Sequence, residues 1–170
     1  MNRKPNLKLI LFPIIAVVLI ALIFVYIFAV KGAKTPAAPQ LVQEVLETNK
    51  LTYSDVTDDF REKWNMNDML KSALTCEKGD LRFDFFVFDN TASAEHIRKK
   101  YRSYIRENMY SIPSVEVYEG VINYTLYSIN ADGTYAVIMR VENTLVFAFC
   151  NEENASALNK IMAGIGYFDE

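Results

Sequence analysis

The chain has 170 residues, with 18 basic and 21 acidic side chains and a net charge of −3. From Thr35 onward, 13 basic and 21 acidic residues give a net charge of −8, which argues against a protein that binds nucleic acid. The two cysteines form no Cys-x-x-Cys pair, so a zinc or thioredoxin-type site has no support and we expect no cofactor.

An apolar run over residues 9–30 is the clearest feature of the N-terminal part. It carries no charge, and seventeen of its residues are Leu, Ile, Phe or Val. A helix of this length measures about 33 Å, which is enough to cross a hydrocarbon core of about 30 Å. The run therefore predicts a transmembrane anchor. A cleaved signal peptide is the alternative, but its apolar core is shorter, at about 7–15 residues.

The charges that flank this run predict its orientation. Arg3, Lys4 and Lys8 precede it, so we expect residues 1–8 to form a short cytoplasmic segment and the C-terminal part to lie outside the cell membrane. The Pro/Ala-rich residues 31–39 predict a linker. About 130 residues follow, which suffice for one ordinary domain, so residues 40–170 are predicted to form an extracytoplasmic domain.

Apolar periodicity and turn residues predict the elements of this domain. In chain order they are helix 40–49, strand 51–56, a short helix after the cap Thr57, strands 69–76 and 81–88, helix 91–109, strands 114–118, 121–129, 134–141 and 144–150, and a helix from Asn151 to Gly166. Residues 145–150 are apolar on both faces, which indicates a central or doubly covered strand. We expect an α+β fold, in which a mostly antiparallel sheet carries helices packed on one face.

The basic side of the middle helix is the sharpest candidate binding surface. Arg98, Arg102 and Arg106 are spaced four residues apart, and Lys99 flanks them. Such a row of cations is a candidate site for an anionic lipid, an anionic wall polymer or an acidic protein partner. A solvated helix face tied to acidic neighbours is the alternative.

The remaining reactive side chains give little support for catalysis. His96 is the only histidine, and no nucleophile motif accompanies it, so we expect neither an enzyme nor a metal site. Cys76 and Cys150 each end a predicted strand. They are candidates for a disulfide outside a membrane, or for two buried free thiols.

Two stretches of the sequence are similar to a known class of proteins. One is Asp-Gly-Thr-Tyr-Ala-Val-Ile-Met-Arg-Val-Glu-Asn-Thr-Leu-Val-Phe-Ala-Phe, residues 132–149, with the capped helix behind it, and the other is Phe-Phe-Val-Phe-Asp, residues 85–89. Together they resemble small membrane-anchored extracytoplasmic envelope proteins of Gram-positive bacteria, which commonly have no assigned function. The resemblance transfers no catalytic or ligand residues, and it implies that a disulfide is less favoured.

A binding or interaction module of the cell envelope, anchored in the membrane and without catalytic activity, is the function that these features predict. The main alternative is an accessory subunit of a larger membrane complex, and a cell-envelope hydrolase is a further one. An exposed apolar patch of several hundred Å² would favour the accessory subunit.

Overall fold

The computed structural model describes residues 17–20, 32–108, 115–120 and 123–169. The chain divides into two compact units, residues 1–33 and residues 34–170. In the first unit, residues 17–20 are helical, and the remainder of the predicted span over 9–30 lies outside the described residues, as does the predicted segment 1–8.

The predicted transmembrane anchor is corrected by the structure. Among the residues that are described, no helix combines the length and the apolar character that a bilayer crossing requires. The position of the domain outside the membrane, which was inferred from that span, stays a sequence-based prediction.

A seven-stranded antiparallel sheet forms the second unit. Its helices are α1 (Pro39–Thr48), α2 (Thr57–Trp64), α3 (Thr91–Asn108) and α4 (Ala155–Gly164), with a 3₁₀ turn over Glu152–Asn154. Its strands are β1 (Tyr53–Asp55), β2 (Leu70–Lys78), β3 (Leu81–Phe88), β4 (Val115–Gly120), β5 (Tyr124–Ala131), β6 (Thr134–Val141) and β7 (Thr144–Asn151). The strand order is β1-β2-β3-β7-β6-β5-β4, so β7 is central, as the sequence predicts, and the α+β class is confirmed.

Helices cover both faces of the sheet, so the prediction of helices on one face is wrong. Alternate residues of β3 point to opposite faces. Phe83 and Phe85 pack in the core that α1 and α4 cover. Phe86 and Phe88 pack in a second core beneath α2 and α3. Since β3 and β7 are apolar on both faces, each face needs its own layer of helices to exclude water.

Part of the predicted linker belongs to the folded unit. The Lys34 backbone N–H donates to Asn123 Oδ1 at 3.0 Å, and Asn123 Nδ2 donates back to the Lys34 carbonyl at 2.6 Å. The Ala37 N–H donates to the Tyr167 hydroxyl, which also bonds to the Thr144 hydroxyl. Tyr167 is fully buried. It follows Gly166, whose left-handed backbone, with φ of +77°, lies just after the last helix. Residues 34–38 are therefore fixed to the domain.

A close approach between α1 and α4 yields a stability prediction. A Cβ added at Gly164 would lie 2.9 Å from Val45 Cγ1, which is too close for an undisturbed contact. We expect Gly164→Ala to lower the free energy of unfolding by about 1–3 kcal/mol, because overpacking outweighs the better helix propensity of alanine, which is worth up to about 1 kcal/mol. Urea denaturation measures this change.

Val45→Ala provides the matched background for that substitution. With the Val45 methyl groups removed, the added Cβ has room, and we expect Gly164→Ala to become neutral or stabilising. A Gly164→Ala substitution that stabilises the chain with Val45 in place would contradict the close packing of the two helices.

Candidate functional site

A pocket of about 400 Å³ lies between α2, α3 and the sheet. It is called the aromatic pocket below. The residues that line it are Lys63, Trp64, Arg82, Ile97, Lys100, Tyr101, Tyr104, Phe147 and Phe149. They come from the last turn of α2, one side of α3, and the neighbouring strands β3 and β7.

Two periodicities in the sequence bring these side chains together. Along β7, the period of two places Phe147 and Phe149 on the same face of the sheet. The antiparallel register sets Phe149 opposite Arg82 on β3. Along α3, residues three and four apart share one face, which directs Ile97, Tyr101 and their neighbours toward the strands. The pocket is therefore formed by side chains of strands and helices that are far apart in the sequence.

Stacked rings form the walls. The ring centroids of Tyr101 and Phe147 are 4.3 Å apart, with an interplanar angle of 21°. Trp64 stands edge-on to Tyr101 at 5.9 Å and stacks with Phe88 at 6.5 Å. The two separations of Trp64 fall in the range over which aromatic pairs attract each other beyond simple burial, and the Tyr101–Phe147 pair is slightly closer. Ring contacts therefore hold the walls in place.

A buried carboxylate lies on the same face of β3 as Arg82. Asp84 has 0% exposure, and it accepts hydrogen bonds from the Thr75 hydroxyl at 2.6 Å and from Arg82 Nε at 2.9 Å. Burial raises the pKa of Asp84 above its usual range, against the two hydrogen bonds, which lower it. Arg82 Nη1 also meets a Glu77 carboxylate oxygen at 2.9 Å. The guanidinium is thus held by one buried and one exposed carboxylate.

Cations surround the aromatic pocket. Lys63 and Lys100 are exposed, and Arg82 is partly buried. Lys63 Nζ also lies 5.3 Å from the ring centroid of Phe60. The described residues that line the pocket include no carboxylate side chain. The site therefore combines an apolar aromatic body with a positively charged rim.

The predicted basic row on α3 does not form one exposed surface. Arg98 is 3% exposed, and Arg102 is partly buried with its guanidinium 4.9 Å from the Tyr127 ring centroid. Lys99 and Arg106 are exposed. A spacing of four residues advances the helix by about 40° beyond a full turn, so the row turns from the sheet toward solvent. Anion binding by these residues stays a prediction.

An internal ion-pair network accounts for the burial of Arg98. Its Nε and Nη2 atoms both donate to Glu95 at 2.7 Å, and Arg140 Nε on β6 donates to the same carboxylate at 3.2 Å. The Arg98 hydrogen bond, opposed in part by burial, lowers the pKa of Glu95. The network ties α3 to the sheet, so it is structural in character.

The two predicted disulfide candidates are separated by a strand. Cys76 on β2 and Cys150 on β7 are buried free thiols. Strand β3 lies between those two strands, and neighbouring strands are about 4.8 Å apart, so the Cα atoms are more than about 9 Å from each other. A disulfide needs a Cα separation below about 7 Å. The cysteines therefore serve as core side chains.

The comparisons with known proteins identify no family. No family model and no curated protein matches the chain. A solved structure described as a GTP binding regulator from Thermotoga maritima is similar over 78% of this chain and 90% of that chain, with a TM-score of 0.46 and 14% identity. A similarity of this degree supports no inference about function.

Within the described ranges, no cluster of His, Cys, Asp or Glu is placed to hold a metal ion.

Proposed function

We propose that this chain is a non-catalytic binding module whose aromatic pocket takes a small organic acid with a flat aromatic body. The observation that carries the proposal is the coincidence of stacked rings and three cations around one pocket. Residues 35–170 as a whole, these three cations included, carry a net charge of −8. Cations gathered at one concave site of an acidic domain favour an anionic ligand at that site.

The rings support a flat ligand. Trp64 and Tyr101 line the pocket with rigid rings that need little ordering on binding, and an aromatic ligand can stack on or stand edge-on to them. Phe147 is 4% exposed and stacks on Tyr101, which holds that ring in place. Tyr104 at the rim is 53% exposed, so a ligand would remove some of its apolar surface from water. A compact inorganic anion would use none of these contacts.

The size of the pocket supports a small molecule. Its volume of about 400 Å³ lies in the lower part of the range typical of small-molecule sites. The anionic lipid, wall polymer and acidic protein predicted from the sequence share the negative charge of such a ligand but are much larger. In the described part of the folded unit, the large exposed apolar side chains lie on separate segments, at Leu41, Met69 and Tyr104. That scatter favours a binding module over an accessory subunit.

Calorimetric titration with two probes of the same shape tests the proposal. The probes are 2-naphthoate, which is an anion, and 2-naphthamide, which is neutral. We expect the full chain to bind 2-naphthoate about tenfold more tightly, a difference of about 1.4 kcal/mol, because the cationic rim contributes to one complex and not to the other. Quenching of Trp64, the only tryptophan of the chain, reports whether the probe reaches the pocket.

Charge reversal at one lysine provides the control. Lys100→Glu should remove the preference for 2-naphthoate, since it replaces a rim cation with an anion. Lys160→Glu changes the charge equally but lies on α4, on the other face of the sheet, and should preserve the preference. Equal affinities for both probes, or equal losses in both variants, would contradict the proposed function.

A further inference from the structure

We propose that Arg82 binds the carboxylate of the ligand and that the Glu77 carboxylate competes with the ligand for the same guanidinium. This inference rests on the proposed function and names the acid group as a carboxylate. The ligand would take the place of Glu77 at Arg82 Nη1, while Asp84 keeps its bond to Nε.

The two carboxylates on Arg82 differ in how easily they are released. Asp84 has no exposure to water, so a ligand that displaced it from Arg82 would leave a buried carboxylate with one hydrogen-bonding partner fewer. The Glu77 side chain is 64% exposed and regains water as soon as it swings away. Replacement of the protein carboxylate by a ligand carboxylate is therefore favourable at Arg82 Nη1 and unfavourable at Nε, although both contacts measure 2.9 Å.

Asp84 also positions the guanidinium. It receives the Thr75 hydroxyl from β2 as well as Arg82 Nε, so its carboxylate is fixed by two side chains on two strands. A guanidinium held at Nε keeps its plane and points its terminal nitrogens in a set direction. Asp84 is therefore a positioning residue, and Arg82 is the group that would touch the ligand.

The present contact with Glu77 indicates which acid fits. Glu77 lies directly opposite Arg82 in the pairing of β2 with β3, and its carboxylate already occupies one terminal nitrogen. A ligand carboxylate reproduces that charge and geometry, and a guanidinium fork is able to bind it with two parallel bonds. An aromatic carboxylate thus matches both the rings and the exchangeable partner of Arg82.

Glu77→Gln tests the competition. The variant keeps the shape of the side chain and removes its charge, and at this exposed position we expect the stability to change by less than about 0.5 kcal/mol. We expect affinity for 2-naphthoate to rise about three- to fivefold, the factor that corresponds to an exposed ion pair, with 2-naphthamide unchanged. Glu62→Gln, next to rim residue Lys63 in the chain, controls for the general field and should change either affinity by less than about twofold.

A double-mutant cycle assigns the effect to Arg82. In the Arg82→Gln background we expect Glu77→Gln to leave 2-naphthoate affinity unchanged, because the exchangeable contact no longer exists. A thermal melt shows whether Arg82→Gln is folded, and the single variant Glu77→Gln is interpretable without it. If 2-naphthoate binding depends on Lys100 but not on Glu77, the competition is overturned and the proposed function stands. If the full chain shows no preference for 2-naphthoate, the proposed function itself fails.

Discussion

Glu95→Ala is expected to lower the free energy of unfolding by about 3–5 kcal/mol, the cost of breaking a buried ion pair on one side. The substitution removes a carboxylate that both Arg98 and Arg140 contact, and both arginines are less than one tenth exposed. Two buried guanidinium groups would then share no counter-charge at that position. Urea denaturation at pH 7 measures the change.

The pH dependence of stability provides a second signature of the same carboxylate. The Arg98 hydrogen bond lowers the pKa of Glu95, so its contribution is fully present above the ordinary glutamate value of about 4.3. It is lost as the pH falls through the lowered value. The difference in the free energy of unfolding between the unmodified chain and Glu95→Ala should therefore become smaller below about pH 4.

Glu107→Ala is the control for that prediction. Glu107 lies on the same helix and is exposed, so its removal should change stability by less than about 0.5 kcal/mol. A loss below about 1 kcal/mol in Glu95→Ala would show that the network contributes little. An equal loss in both variants would point to helix α3 in general and away from the ion pairs.

Local signals in the sequence predict most of the sheet. Strands 81–88 and 134–141 coincide with β3 and β6, because alternating side chains and tight turns define both ends. Gly79 and Gly133, which have positive φ, lie in the short gaps between strands predicted over 69–76 and 81–88 and over 121–129 and 134–141. Element type and turn position are properties of neighbouring residues, so a single sequence is informative about them.

Long-range packing explains what the sequence could not provide. The prediction of helices on one face was wrong because the sequence does not show which helix covers the second apolar face of β3. In the structure, Phe86 and Phe88 on that face pack beneath α2 and α3. The alternation of Arg82 and Asp84 with apolar residues predicts a partly solvated face at this end of β3, but Asp84 is fully buried and Arg82 is only partly exposed. A polar pair two residues apart within a strand that is otherwise apolar on both faces is the signal that could have marked the site.

The candidate pocket depends on the same tertiary arrangement. Tyr101 follows a helix period and Phe147 a strand period. Such periods are expected of residues packed in a core as well as of residues that line a pocket. The stacking of these two rings in the wall of the pocket arises from the position of α3 over β3 and β7. The spacing of the basic row on α3 likewise does not show that Arg98 is buried, at 3% exposure.

Phe147→Ala is expected to lower the free energy of unfolding by about 3–5 kcal/mol, as truncation of a buried aromatic side chain does. Phe147 is 4% exposed on the central strand, and its ring contacts Tyr101 at 4.3 Å and Phe149 at 5.7 Å between centroids. Its removal leaves a void beneath α3 that the surrounding sheet cannot close. We expect the urea midpoint to fall and 2-naphthoate affinity to fall with it, because one wall of the pocket is gone.

Tyr104→Ala separates binding from stability. Tyr104 also lines the pocket but is 53% exposed, so its truncation should cost less than about 1 kcal/mol of stability while still weakening 2-naphthoate binding. The two substitutions thus remove rings from the same site with different consequences for folding. If Phe147→Ala weakens binding and Tyr104→Ala does not, the rim ring is not part of the ligand site. If neither weakens binding, the probe binds elsewhere on the chain and the aromatic pocket is not its site.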